Sequence, residues 1–244
     1  MAFSISNTCI KVSAPNLPVH NIDTGIDYAT IQEAIDASNT TNGHTILVDD
    51  GIYYEHVTVH KAVKLLGANQ TKAIIDGNGT GQVVSLTANG AEIAGFRVQN
   101  GSYGIFIHEC SKCRIANNTA ISNTMAGIYL FESNGNLMTN NTISNNSHGF
   151  WILAQSSSNI ISRNHVENNP QGIVLSINCN NNTVVSNAVI SSNIWGIVTA
   201  GAYNNTIFHN NLLENAQQAY SENSLNFWDD GAEGNFWKDY SGPD

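Results

Sequence analysis

Residues 104–123 read GIFIHECSKCRIANNTAISN, residues 127–145 read GIYLFESNGNLMTNNTISN, and residues 149–168 read GFWILAQSSSNIISRNHVEN. Residues 172–191, GIVLSINCNNNTVVSNAVIS, and 196–215, GIVTAGAYNNTIFHNNLLEN, repeat the pattern. Asn118, Asn141, Asn164, Asn187 and Asn210 stand 23 residues apart, with Gly95 one step earlier. Asn136, Asn159, Asn182 and Asn205 hold a second register, with Cys113 before it. Asn100, Asn123, Asn146, Asn169 and Asn215 hold a third, with Ser192 in the gap. Registers that share one period mean one repeated structural unit.

Each unit carries short apolar runs with period-2 alternation, which are strands, separated by Asn, Ser and Gly. Three strands and three polar corners fit one turn of a coil, and stacked coils sit about 4.8 Å apart. The expectation is an all-β chain: a single-stranded right-handed parallel β-helix that buries its core by stacking. Ile115, Met138, Ile161, Val184 and Ile207 form one inward column. Ile105, Ile128, Phe150, Ile173 and Ile197 form a second, and Ile107, Leu130, Ile152, Leu175 and Thr199 a third. The asparagines belong at corners, where their side chains tolerate left-handed backbone and stack as an amide ladder. The leading glycines Gly104, Gly127, Gly149, Gly172 and Gly196 are spaced 23, 22, 23 and 24, so one corner absorbs the length changes.

Solenoid ends need caps. Residues 1–27 read as an extension, 28–38 as a capping helix, 44–224 as coils and 225–244 as a C-terminal cap. In the helix, Ile31, Ala34, Ile35 and Ser38 fall at helical spacing, and Thr30 with Glu33 reads as a capping box. Leu225, Phe227, Trp228, Phe236, Trp237 and Tyr240 read as an aromatic plug over the last coil.

Charged residues make up 11% of the 244-residue chain, with a net charge of −10. Between Gly77 and Trp228 the cations are Arg97, Lys112, Arg114 and Arg163, too sparse to track phosphates, so nucleic acid is excluded as a partner. No apolar run approaches the roughly 18 residues of a membrane span. The start, MAFSISNTC, lacks the apolar core of a signal peptide. The cysteines are Cys9, Cys110, Cys113 and Cys179. Cys110 and Cys113 form one C-x-x-C, a metal candidate without the second pair that zinc takes; Cys110 and Cys179 share a column about 14 Å apart, too far for a disulfide. N-x-S/T sequons at Asn39, Asn69, Asn78 and Asn117 mostly coincide with the corner pattern.

YATIQEAID at 28–36, GHTILVDDGIYYEHVTVHKAVKLLGAN at 43–69 and AIIDGNG at 73–79 resemble the opening of the pectin-lyase-like superfamily. The NNT units followed by GI are similar to the β-helix repeats of its NosD-like, carbohydrate-associated group. NFWDDGAEGNFWKDYSGPD at 226–244 is similar to the closing segment of NosD-like proteins. The resemblance implies the fold and its handedness. The superfamily includes lyases, hydrolases, esterases, epimerases and surface proteins, and fold does not choose among them. NosD is associated with periplasmic copper-site maturation; this sequence holds no Met- or His-rich cluster.

Sites on a β-helix are built from outward residues of adjacent coils. Glycosidases of this fold need grouped aspartates, and no Asp stands between Gly77 and Trp228. Calcium-dependent lyases need a carboxylate cluster, of which only fragments appear. The best fragment is Glu109 with Glu132, 23 residues apart, beside His108, with Lys112 or Arg114 as counter-charge. Arg163, His165 and Glu167 form another polar group, and His44, His56, His60, His148 and His209 read as scattered surface residues. Phe106, Tyr129 and Trp151 alternate with inward residues and should point outward from successive coils, continued by Val174 and Val198. Stacked rings suit sugar faces or protein contacts, or else simply pack across strands. The resulting expectation is a non-catalytic secreted, cell-surface or periplasmic module whose partner is a polysaccharide or envelope glycan. The rivals are a uronate lyase or epimerase using Glu109 and Glu132, and self-association into a surface layer or filament.

Overall fold

The computed structural model describes residues 17–239. Cys9, Tyr240 and most of the segment read as an extension lie outside the described residues. The chain winds as a right-handed parallel β-helix with three sheets, of ten, nine and eight strands. The first sheet runs from Thr45–Val48 through Arg114–Ala116 to Thr206–Phe208; the second from Gly51–Tyr53 through Thr119–Ile121 to Phe236–Trp237; the third from Val57–Val59 through Tyr103–His108 to Gln217–Glu222. Every coil pairs in parallel register with the next, as in Ile105↔Ile128 and Ile128↔Phe150.

The three inward columns read from alternation are all fully buried. The second sheet supplies another column, Ala120, Ile143, Val166, Val189 and Leu212, which the sequence reading did not name.

The three asparagine registers are hydrogen-bonded ladders. Asn118 donates its backbone N–H (3.0 Å) and its Nδ2 (3.2 Å) to Asn141 Oδ1, and its Nδ2 also donates to the Ile93 carbonyl at 3.0 Å. The pattern recurs from Asn141 to Asn164, Asn187 and Asn210, ending on Asn235. A second ladder runs from Cys113 through Asn136, Asn159, Asn182 and Asn205 to Asn226. Each internal amide is thus saturated without water, which makes burying it tolerable.

Two details differ from the sequence expectation. Phe96 and Gly101, rather than Gly95 and Asn100, occupy the ladder positions before Asn118 and Asn123, because that coil is one residue shorter. The left-handed backbone belongs to the residue before each ladder asparagine: Asn117, Asn140, Arg163, Ser186 and His209 have φ of 54–56°. That residue swings outward so that the next one can turn in. The length variation between the leading glycines falls at the corner between the second and third sheets. The leading glycines are required here; a Cβ on Gly149 would lie 2.5 Å from the Gly172 carbonyl oxygen.

At the start, the helix spans Ile31–Asp36 with a complete capping box between Thr30 and Glu33. The Glu55 carboxylate accepts from the first helical N–H groups, Ile31 at 3.1 Å and Gln32 at 3.0 Å. Ser38 is exposed beyond the helix end rather than inward, since the chain turns extended at Ala37. Val19–Asn21 and Ile26–Tyr28 pair antiparallel and extend the first sheet. At the far end Trp228 and Trp237 pack on the core, their rings 5.8 Å apart. Leu225, Phe227 and Phe236 do not plug it; they are exposed, because Phe227 and Phe236 continue the sheets as edge residues.

Ser192 interrupts the third ladder, and its hydroxyl is buried without a partner. Ser192→Asn should complete the rung and raise stability by about 1 kcal/mol. Asn164→Ala strands two donors of Asn141 and the Met138 carbonyl, and should cost about 3–9 kcal/mol at 1–3 for each of these three buried groups. Denaturant midpoints of the purified variants check both.

Candidate functional site

The third sheet has the longest strands, and its outer face carries the rings. In Tyr103–His108 the alternation breaks at Gly104, so that Tyr103 joins Phe106 and His108 outside while Ile105 and Ile107 stay inside. The Tyr103 ring stacks on Tyr129 at 4.8 Å, and Phe106 stacks on Tyr129 at 5.0 Å. Tyr129 meets Trp151 at 5.1 Å, and His148 stacks on Trp151 at 4.6 Å. His108 lies 5.1 Å from Phe106, and Phe131 flanks Tyr129. The rings form one continuous ridge across three coils.

Within it, Phe106 and Trp151 are half-buried, and Tyr129 is 8% exposed, closed in by its neighbours. Val174 and Val198 are likewise buried. The accessible surface of the ridge therefore comes from Tyr103, Phe106, His108, His148 and Trp151, around a Tyr129 that serves as its packed centre. Burial, with Tyr103 adjacent, pushes the Tyr129 phenol up to about 12. Burial also lowers the His148 pKa against the opposing bond that its Nδ1 donates to the Met125 carbonyl at 3.2 Å, so the ring is neutral at pH 7. Sequence reading missed Tyr103 and His148 in the ridge; the signal was the glycine that follows each of them.

The carboxylate fragment falls on one corner of two adjacent coils. Glu109 and Glu132 occupy equivalent left-handed corner positions (φ 49°) on adjacent coils. Glu109 has His108 3.4 Å away, but Arg114 pairs with Glu92 at 2.7 Å on the first sheet instead of serving as their counter-charge. His165 and Glu167 pair at 2.9 Å on the second sheet, with Arg163 at a corner. Cys110 and Cys113 are buried with their sulfurs 3.4 Å apart, and their thiols donate to the Leu86 and Ala88 carbonyls. The hydrogen bond to Cys113 and burial push the Cys110 thiol far up, and burial lifts Cys179 to about 11. Among the described residues no three of His, Cys, Asp and Glu converge as a metal site.

One polar site was not legible in the sequence. A cavity of about 440 Å³ opens at the corner between the second and third sheets, beside the ridge. Tyr54, Asn78, Asn100, Ser122 and Thr124 line it, with Asp76 at its base. Asp76 is 7% exposed and accepts from the Asn78 N–H (2.9 Å), Gln99 Nε2 (2.7 Å) and Asn100 Nδ2 (2.8 Å). Burial pushes its pKa up, but the bonds from Gln99, Asn78 and Asn100 and the charge of Arg97 outweigh it, so the carboxyl lies below its ordinary value of 3.8. A depressed carboxyl stabilises the fold above its unfolded pKa, and that contribution disappears as pH falls through the folded value. Asp76→Asn should therefore reduce the loss of stability below about pH 4, as read from thermal midpoints between pH 2 and 7.

The chain belongs to the NosD family: the model described as periplasmic copper-binding protein (NosD) matches residues 35–242. It is 35% identical over 102 residues to a cell surface glycoprotein of Methanothermus fervidus, a match covering 41% of this chain and 17% of that protein. The chain thus spans under a fifth of the length of that curated relative. Its fold is similar to an alginate lyase from Paenibacillus sp. str. FPU-7 (TM-score 0.62, 13% identity, covering 80% of this chain and 94% of that one). It is also similar to the A-module of a mannuronan C-5 epimerase from Azotobacter vinelandii (0.57, 16%, 82% and 71%) and to a pectin methylesterase from Yersinia enterocolitica (0.51, 10%, 82% and 90%). At these identities the solved structures share the fold alone. Among the described residues no built copper site appears: no three of His, Cys, Asp and Glu converge, and the Cys110 and Cys113 thiols are buried and donate to backbone carbonyls.

Proposed function

We propose that this chain is a non-catalytic β-helix module of the cell envelope or secreted space that binds glycan on the outer face of its third sheet. The ring ridge from Tyr103 to Trp151 carries the reading. Sugar rings lay their C–H faces on aromatic faces, and half-buried rings held by one another lose little freedom on binding. The cavity over Asp76 adds amide and hydroxyl groups for sugar hydroxyls beside that platform. The family's periplasmic description, the cell-surface relative and the polysaccharide-acting neighbours support the location and the class of partner.

His165 and Glu167 lie on a separate sheet from the corner of Glu109 and Glu132, and Arg114 is engaged by Glu92, which favours binding without turnover. Incubation with alginate or polygalacturonate should yield no unsaturated or epimerised product; turnover by the purified chain would overturn the non-catalytic reading. A glycan array run with Trp151→Ala beside the native chain tests the platform. The native chain should be retained, and loss of the indole should weaken retention about tenfold, the equivalent of 1.4 kcal/mol, with the circular dichroism unchanged. Silence from the native chain on every glycan would reject the reading.

A further inference from the structure

The three solved structures described above are named for work on alginate, mannuronan and pectin, polymers that carry carboxyl groups. The face of this chain has a different electrostatic character. From Gln82–Leu86 to Gln217–Glu222 the strands of the third sheet contain no lysine and no arginine. Arg97 and Arg114 lie on the outer faces of the other two sheets, and Arg163 lies at the corner between them. The cation nearest the ridge in the chain is Lys112, at the corner that the strand enters after His108.

Negative charge, by contrast, borders the ridge on both sides. Glu109 and Glu132 stand at that same corner, and the ionised Asp76 sits in the cavity at the opposite corner. His108 lies 3.4 Å from the Glu109 carboxylate, and the His148 ring carries no charge at neutral pH. The chain as a whole carries a net charge of −10.

A polyuronate laid on this face would bring an anion with each sugar unit. It would have to desolvate those anions against aromatic rings without a counter-charge, which is costly, and within the repulsive field of the protein. An uncharged sugar pays neither penalty; its C–H face meets the rings and its hydroxyls meet Asn78, Asn100, Ser122 and Thr124.

We infer that the third-sheet face takes an uncharged glycan, one whose sugar units bear no carboxylate or sulfate, and discriminates against polyuronates. The inference rests on the glycan-binding reading and names its ligand class. The test pairs polygalacturonate with its carboxyl-reduced counterpart, the same backbone without the charge, in affinity electrophoresis and calorimetry at low and high salt. The reduced polymer should bind at least about tenfold more tightly, a 1.4 kcal/mol difference. Its binding should be insensitive to salt, whereas added salt should strengthen what little the parent shows by screening the repulsion. Gln171→Arg, which places a cation beside His148 in the paired row, should narrow the gap by raising affinity for the charged polymer. Equal or tighter binding of polygalacturonate by the native chain would overturn this inference and leave the glycan reading standing. Retention of neither polymer, nor of any neutral glycan on the array, would overturn both.

Discussion

A buried primary amide that saturates itself along a single axis is the interaction on which the architecture depends. A ladder asparagine accepts two hydrogen bonds on Oδ1 from the coil before it and divides its two Nδ2 hydrogens between the coil after it and a backbone carbonyl of the preceding one. No other side chain of that length offers the same count of donors and acceptors. The corners of the coil can therefore lie in the dry interior, although the backbone there leaves the sheets. The hydrophobic columns supply the burial that drives stacking, and the ladders fix the register in which it occurs, so that a slip of one residue would orphan a row of amides.

That division explains what the sequence disclosed. Period-2 alternation between Gly104 and His108 identified the inner columns, the 23-residue spacing identified the ladders, and the Thr30–Glu33 pair identified the helix. These are one-dimensional signals, and each corresponds to a local physical requirement. The left-handed residue before each rung was assigned to the rung itself, because the spacing marks the rung while only the backbone shows which of two adjacent corner residues takes positive φ. Ser38 failed because helical spacing carries no information about where the chain stops being helical.

The site was less legible, for reasons that follow from stacking. Tyr103 and His148 reach the outer face because the glycine after each breaks the alternation, an event invisible to a strict period-2 count. Whether Tyr129 is open or closed depends on how three neighbouring rings lean, which spacing does not encode. Asp76 was not singled out within AIIDGNG; its burial comes with Gln99 and Asn100, one coil later. The aromatic ridge and the acidic flank are thus products of adjacent coils, each half of the arrangement lying about one period away from the other.

The serine at position 192 also has a mechanical meaning. Between the coils of Asn141 and Asn164, neighbouring turns are joined by three rows of amides, whereas between Asn169 and Ser192 only two rows remain, and from Ser192 to Asn215 the third row is a single backbone bond. Tension applied along the solenoid axis would be shared by fewer connections there than in the turns on either side. In an envelope component under load, that seam is where the column would part first, leaving the coils that bear the aromatic ridge whole on one side of the break.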